Sequence, residues 1–473
     1  MQKKGSALTN KFVGQGILLF IDLTLISVAN WLYWLIVSRL ASTSEIGQAT
    51  SVYSLVLLIT TVSQIGLEYP LLKKSSLHRS QILGTALAIE LILASGSIAA
   101  VIFLANTDMY HASLEGYVLL VAIALLVFSP ITFISRFALL GISKARTVLV
   151  LDIAASVAKF LIAYILLTMG FGAFGILFSF MIASLVTAIT MISIAGRRLS
   201  LRPVRDKRHI IEVLREGLSN APSKLSRTII VTLSVILLAP FGISDSDIGI
   251  FYIALMISVV GATFAVSMSF TVIPASSELK ADLSSRSLRI GLSFTAPVIA
   301  ALVMAPRDIL SIIGMEYAAA DTVLLVLSLG ILPTAIVMNA ISKFNNSGEH
   351  KKIIALGLIQ IAGFLTSFVV LVPYYGTLGA AYSILIAYTA SSVCTLCWSE
   401  RVERRYIANS IVAVVLGCAA GYAINLMLDH NSLATVATSV IITSVILLAL
   451  KNISISEMRQ LIETVRNPKE SHI

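Results

Sequence analysis

Seven of the charged side chains inside or near the ends of long apolar stretches are candidates for chemistry, because a charge there is costly and therefore informative. Lys159 is the deepest, twelve residues into the run 147–168. A lysine at that depth costs ~2.5–3.5 kcal/mol on insertion scales, so such residues face a bundle interior or an aqueous cavity, where an ammonium binds an anion. Glu90, in the middle of the run 81–105, and Asp152, nearer the start of 147–168, are candidate partners or protonatable sites. If either pairs with Lys159, that lysine is structural instead. Arg136 lies a turn from the end of the run 117–140 and either snorkels to the surface or joins the same site. Asp22 and the pair Lys224 and Arg227 complete the set. The internal repeat described below carries Asp22 onto Lys224, which puts opposite charges at equivalent places. Facing one another, they suit a gate or a zwitterionic headgroup; otherwise Lys224 and Arg227 are simply the last basic residues on their side.

Other reactive residue types are poorly placed for chemistry. Cys394 and Cys397 have the C-x-x-C spacing of redox and metal sites. Together with Cys418 they lie inside apolar runs, with no histidine or carboxylate at that depth, and read as small packing residues. All six histidines (78, 111, 209, 350, 430 and 472) fall in connections or near the ends, which argues against a metal centre or a buried proton relay. No phosphate-cradling loop of the Walker type is present. The expectation is therefore no catalytic residue, no metal and no cofactor.

The elements that must hold these charges follow from composition. A chain of 473 residues that is 57% hydrophobic and 12% charged has more apolar surface than a soluble core can hide. Fourteen runs are long enough to cross a bilayer: 14–38, 47–71, 81–105, 117–140, 147–168, 173–195, 217–240, 248–274, 288–312, 321–342, 352–372, 376–399, 407–428 and 433–450. They are too long and too uniformly apolar for barrel strands, so the expected class is an all-α polytopic membrane protein.

The net charge of +10 raises the question of nucleic acid, but its distribution answers differently. With the N-terminus in the cytoplasm, 31 of the 34 Lys and Arg residues fall on the cytoplasmic side, leaving only Arg39, Lys159 and Arg307. That is the positive-inside pattern of a multi-pass protein of the cell membrane with both termini inside, not a nucleic-acid surface. The basic first eleven residues lead into a run too long for the apolar region of a cleavable signal, so the first span is expected to be its own anchor. Trp31 and Trp34 are expected at the outer interface and Trp398 at the inner one. Outer connections are short, which weighs against membrane glycosyltransferases; the first offers Glu45 alone.

A repeat organises the whole. Ser42-Thr43-Ser44-Glu45-Ile46-Gly47 and Ser244-Asp245-Ser246-Asp247-Ile248-Gly249 each sit between two apolar runs, 202 residues apart. Phe171-Gly172 with Ser179 and Tyr375-Gly376 with Ser383 repeat at 204, and mid-run Pro130 and Pro333 at 203. The chain therefore divides into a six-helix bundle at 1–195, a basic interfacial linker at 196–216 and a second six-helix bundle at 217–400. Two further spans at 401–450 and an amphipathic tail at 451–473 follow. Six spans per half make the repeat parallel.

The turn ending in Glu45-Ile46-Gly47, with Gly66-Leu67 and basic Lys73-Lys74 after the next helix, resembles the first hairpin of polysaccharide-unit flippases of the Wzx type. These belong to the multidrug/oligosaccharidyl-lipid/polysaccharide (MOP) exporter superfamily. Asp247 to Tyr252 with Pro274 to Leu279 is similar to that family's seventh-to-eighth-span region, and Gly314-Met315-Glu316-Tyr317 to its loop before span ten. The resemblance covers roughly residues 8–400. It implies alternating access through a central cavity, with a polyprenyl- or dolichyl-linked oligosaccharide crossing while its tail stays among the membrane lipids. Cationic Lys159, Arg136, Lys224 and Arg227 would meet the phosphate. Glycosyltransferases or a polymerase of the same pathway are the implied protein partners. A multidrug/cation antiporter of the same superfamily is the competing expectation.

Overall fold

Once water is excluded, a long apolar run can satisfy its own backbone groups only as a helix, and among the described residues every one of the expected runs overlaps helix, two of them broken into two helices and two merged into one. The computed structural model describes residues 25–452 except 27, 65, 69, 72–74, 76–80, 107–115, 143, 205, 280–283, 428–431 and 451, and, within helices, the side chains of all but 209, 216, 219–227, 267 and 270–279. The helices are α1 (28–40), α2 (Thr43–Ser63), α3 (Ile82–Ala105), α4 (Gly116–Gly141), α5 (Ala145–Thr168), α6 (Gly172–Gly196), α7 (Lys207–Ile236) and α8 (Asp245–Leu279). After these come α9 (Ser284–Met304), α10 (Pro306–Ile313), α11 (Asp321–Leu329), α12 (Ile331–Ser347), α13 (His350–Trp398), α14 (Arg401–Met427) and α15 (Ser432–Ala449). Among the described residues, 11 helical stretches are long and apolar enough to cross a membrane. The chain is an all-helical polytopic membrane protein.

The repeat has a backbone counterpart. Gly172 (φ 48°) and Gly376 (φ 55°) both adopt the left-handed conformation that L side chains rarely enter. At Gly376 this interrupts α13, whose two arms are the eleventh and twelfth expected spans. Ser179 and Ser383, the following repeat pair, are both fully buried. Both turns are capped alike: Ser42 Oγ accepts from Glu45 N and Ser244 Oγ from Asp247 N. The prolines are less alike. Pro130 lies within continuous α4, whereas Pro333 is in the first turn of α12, just after the break at Gly330.

By packing, the described residues form two compact units. One holds 25–253 with Phe364–Ala380, and the other Ala254–Gly363 with 381–452. This division differs from the division by sequence repeat, because the second turn packs with the first unit. In that unit, Leu67, Leu83, Ile134, Leu139, Val148 and Met191 belong to one buried cluster. Val213 joins it with no exposure, flanked by Ile210 and Leu214, so this face of the basic segment is covered by protein. The segment ahead of it is tied to α3: Gly84 N donates to Ser200 O and Val204 N to Thr85 Oγ1. In the other unit, α14 and α15 pack on each other and on α9, with Gly417 and Gly421 set against Ser439 and Thr443.

Candidate functional site

The site is built in the first unit from α1, α2, α5, α6 and the first turns of α8. Lys159 lies near the middle of the 24-residue α5 and is 8% exposed. Its Nζ donates to Asn30 Oδ1 at 2.6 Å and stands 4.5 Å from the ring centroids of both Tyr33 and Phe180. Asn30 itself is exposed, so the amide lies on the outward side of the ammonium. Two desolvated cation–π contacts at up to ~2 kcal/mol and one charged hydrogen bond at ~1.5–3 kcal/mol are of the order of the lysine's insertion cost.

The rings are held in turn. Tyr33 Oη shares a hydrogen bond with Ser179 Oγ at 2.9 Å, which puts one member of the buried repeat serines into the site. Phe180 packs on Tyr53 at 4.3 Å and on Tyr33 at 5.1 Å, and Trp34 meets Tyr252 edge-on at 4.8 Å. Trp34, expected at an interface with lipid, is 5% exposed and belongs to this cluster. The reason is packing: α6 and α8 bring Phe180 and Tyr252 onto the same side of α1. Trp398, by contrast, is 38% exposed.

The remaining candidates do not converge on Lys159. Arg136 Nη2 is 3.2 Å from Asp152 Oδ2, an ion pair joining α4 to α5. Buried Glu90 accepts from Ser63 Oγ at 2.9 Å, joining α3 to α2. Among the described residues the partners of Lys159 are thus an amide and two aromatic faces, not the carboxylates weighed for it. Asp22 lies outside the described residues, as do the side chains of Lys224 and Arg227, whose backbone belongs to α7. Asn30, Tyr33, Phe180 and Tyr252 escaped sequence reasoning because an uncharged residue in an apolar run has no local mark. Among the described residues no group of three or more His, Cys, Asp or Glu could hold a metal ion.

The sequence matches no protein-family model and no curated protein. Its fold does find counterparts among solved structures. The chain is similar to the lipid II flippase MurJ in an inward closed conformation, with a TM-score of 0.68 and 15% identity, covering 94% of this chain and 99% of that one. It is also similar to an inward-facing multidrug resistance MATE family transporter of the MOP superfamily, with a TM-score of 0.61 and 17% identity over 84% and 98% of the two chains. The chain shares the fold of these two proteins. The MATE multidrug transporter DinF-BH shares it at a TM-score of 0.54 and 15% identity, over 83% and 94%. These counterparts are transporters, not enzymes. At such identities the likeness is one of fold.

Proposed function

We propose that the chain is a flippase for polyprenyl- or dolichyl-linked oligosaccharides, moving them from the inner to the outer leaflet of the cell membrane by alternating access. The observation that carries this reading is the Lys159 ammonium. It is buried and held at 2.6 Å by a neutral amide, and among the described residues it has no carboxylate to cancel its charge. An ammonium whose partners are all neutral has no internal counter-ion to compete with an anionic ligand. A lipid-linked phosphate is an anion whose tail remains in the bilayer, so only its head has to reach the site. Fold coverage agrees. The MurJ likeness spans 94% of the chain against 84% for the MATE transporter, a difference about the size of the α14–α15 pair. A cationic drug, the substrate of the competing reading, is repelled by the same ammonium. On this reading both termini face the cytoplasm, and the pathway's glycosyltransferases or polymerase supply and consume the cargo.

The test is Lys159→Gln in a strain whose surface polysaccharide depends on this chain. With normal amounts of protein in the membrane, lipid-linked sugar reaching the outer leaflet should fall about tenfold or more, the factor for each ~1.4 kcal/mol of lost binding. Undiminished translocation would remove Lys159 from the phosphate site.

A further inference from the structure

A second charged centre lies in the unit that does not contain Lys159, where the end of α12, both ends of α13 and the start of α14 meet. A small pocket opens there between Asn339, Lys343, Thr395, Trp398 and Glu403. Lys343 Nζ donates to Glu403 Oε1 at 2.8 Å and to Glu400 Oε1 at 3.1 Å. An ammonium has three protons, so among the described residues one stays uncommitted, on a side chain 20% exposed. Glu403 is fully used, because Oε1 also accepts from Ser285 Oγ and Oε2 accepts from Glu400 N. Glu400 is not. It is 63% exposed, and among the described residues its Oε2 accepts no hydrogen bond. A donor for an anion thus stands beside an acceptor for a cation.

We propose that this corner binds the headgroup of a membrane phospholipid that carries both a phosphate and a primary ammonium, as phosphatidylethanolamine does. The phosphate takes the third Lys343 proton, and the lipid ammonium donates to Glu400 Oε2. The charges in contact here, Lys343, Lys352 and Arg404 with Glu349, Glu400 and Glu403, sum to zero. They exert no net pull on an anionic lipid such as phosphatidylglycerol, whose headgroup has no cation for Glu400. A quaternary ammonium has no N–H to donate and is held by aromatic faces instead. Those faces are taken. Phe344 and Trp398 meet edge-on at 5.9 Å, and the Lys352 ammonium stands 4.9 Å from the first ring centroid and 5.9 Å from the second. Trp398, 38% exposed, is of the residue type that sits at headgroup level. Exposed Ile354, Leu358 and Val393, within about two turns of the same ends of α13, offer apolar surface to the acyl chains. The assignment does not depend on the cargo of the Lys159 site.

The test takes the full chain, delipidated in detergent and titrated with phosphatidylethanolamine, phosphatidylcholine or phosphatidylglycerol of identical acyl chains, with bound lipid counted by native mass spectrometry. Phosphatidylethanolamine should bind about tenfold or more tighter than either of the others, the scale of one charged hydrogen bond. Glu400→Gln should abolish that preference. Because Glu400 is exposed, the same variant should leave phosphatidylcholine binding and the Tm in lipid-free detergent nearly unchanged. Equal binding of the three lipids, tighter binding of phosphatidylglycerol, or a preference that survives Glu400→Gln would overturn the proposal. Displacement of the lipid by free phosphoethanolamine at equal concentration would also overturn it, by assigning the corner to a soluble phosphate.

Discussion

Asn30 accepts a 2.6 Å hydrogen bond from Lys159 and is exposed, while Lys159 is buried behind it. The amide holds the cation without neutralising it. Asn30→Asp should therefore weaken binding of a polyprenyl-diphosphate analogue about tenfold or more, because a carboxylate at this distance competes with the ligand's phosphate. Asn30→Ala loses the hydrogen bond but leaves the charge, and should do less. Equal losses in a titration of the two variants would show that position, not charge, sets the affinity.

Arg136 and Asp152 are a structural pair by their geometry, 3.2 Å apart and largely shielded. Arg136→Leu removes the cation beside a buried carboxylate and should lower stability by about 2–3 kcal/mol, less than the ~3–5 of a fully buried pair. The double variant Arg136→Leu with Asp152→Leu should regain most of that loss in a thermal unfolding series in detergent. Additive losses would refute the pairing.

Gly172 and Gly376 share a left-handed backbone but not a neighbourhood. Alanine at either should cost about 1–2 kcal/mol for the backbone alone. At Gly172 the new methyl also overlaps Glu45 Oε1, whereas at Gly376 the nearest neighbour is Ile243 Cδ1 at 3.5 Å. The Tm of Gly172→Ala should consequently fall further, and Glu45→Ala should rescue it in part while doing nothing for Gly376→Ala.

Glu403, 3% exposed at the start of α14, accepts from Lys343 Nζ at 2.8 Å, from Ser285 Oγ at 3.1 Å and from Glu400 N at 3.0 Å. It fastens the first of the two extra helices to α9 and α12. Glu403→Gln should cost about 1–3 kcal/mol, the scale of a charged buried hydrogen bond. Glu400→Gln, at a carboxylate 63% exposed, should stay within about 1 kcal/mol. The reverse order of Tm shifts would place the anchor elsewhere.

Local properties of the chain were enough to define the elements. The length and uniformity of each apolar run set where the helices fall, because backbone satisfaction is a local demand. The paired turns and glycines announced a duplication that the matching φ values of Gly172 and Gly376 express. Lys159 could be singled out by depth alone, since a charge in an apolar run stands out from its neighbours.

Which groups meet was decided only by tertiary packing. Asn30 and Lys159 are 129 residues apart in sequence, and Thr43 and Ser246 are 203 apart. Nothing in either segment encodes the other except a surface that fits. The carboxylates expected near Lys159 went instead to Ser63 and Arg136, and Trp34 turned from an interface anchor into part of the site's wall. Side-chain direction around each helix is settled by which neighbouring helix covers it, a long-range property that no single run contains.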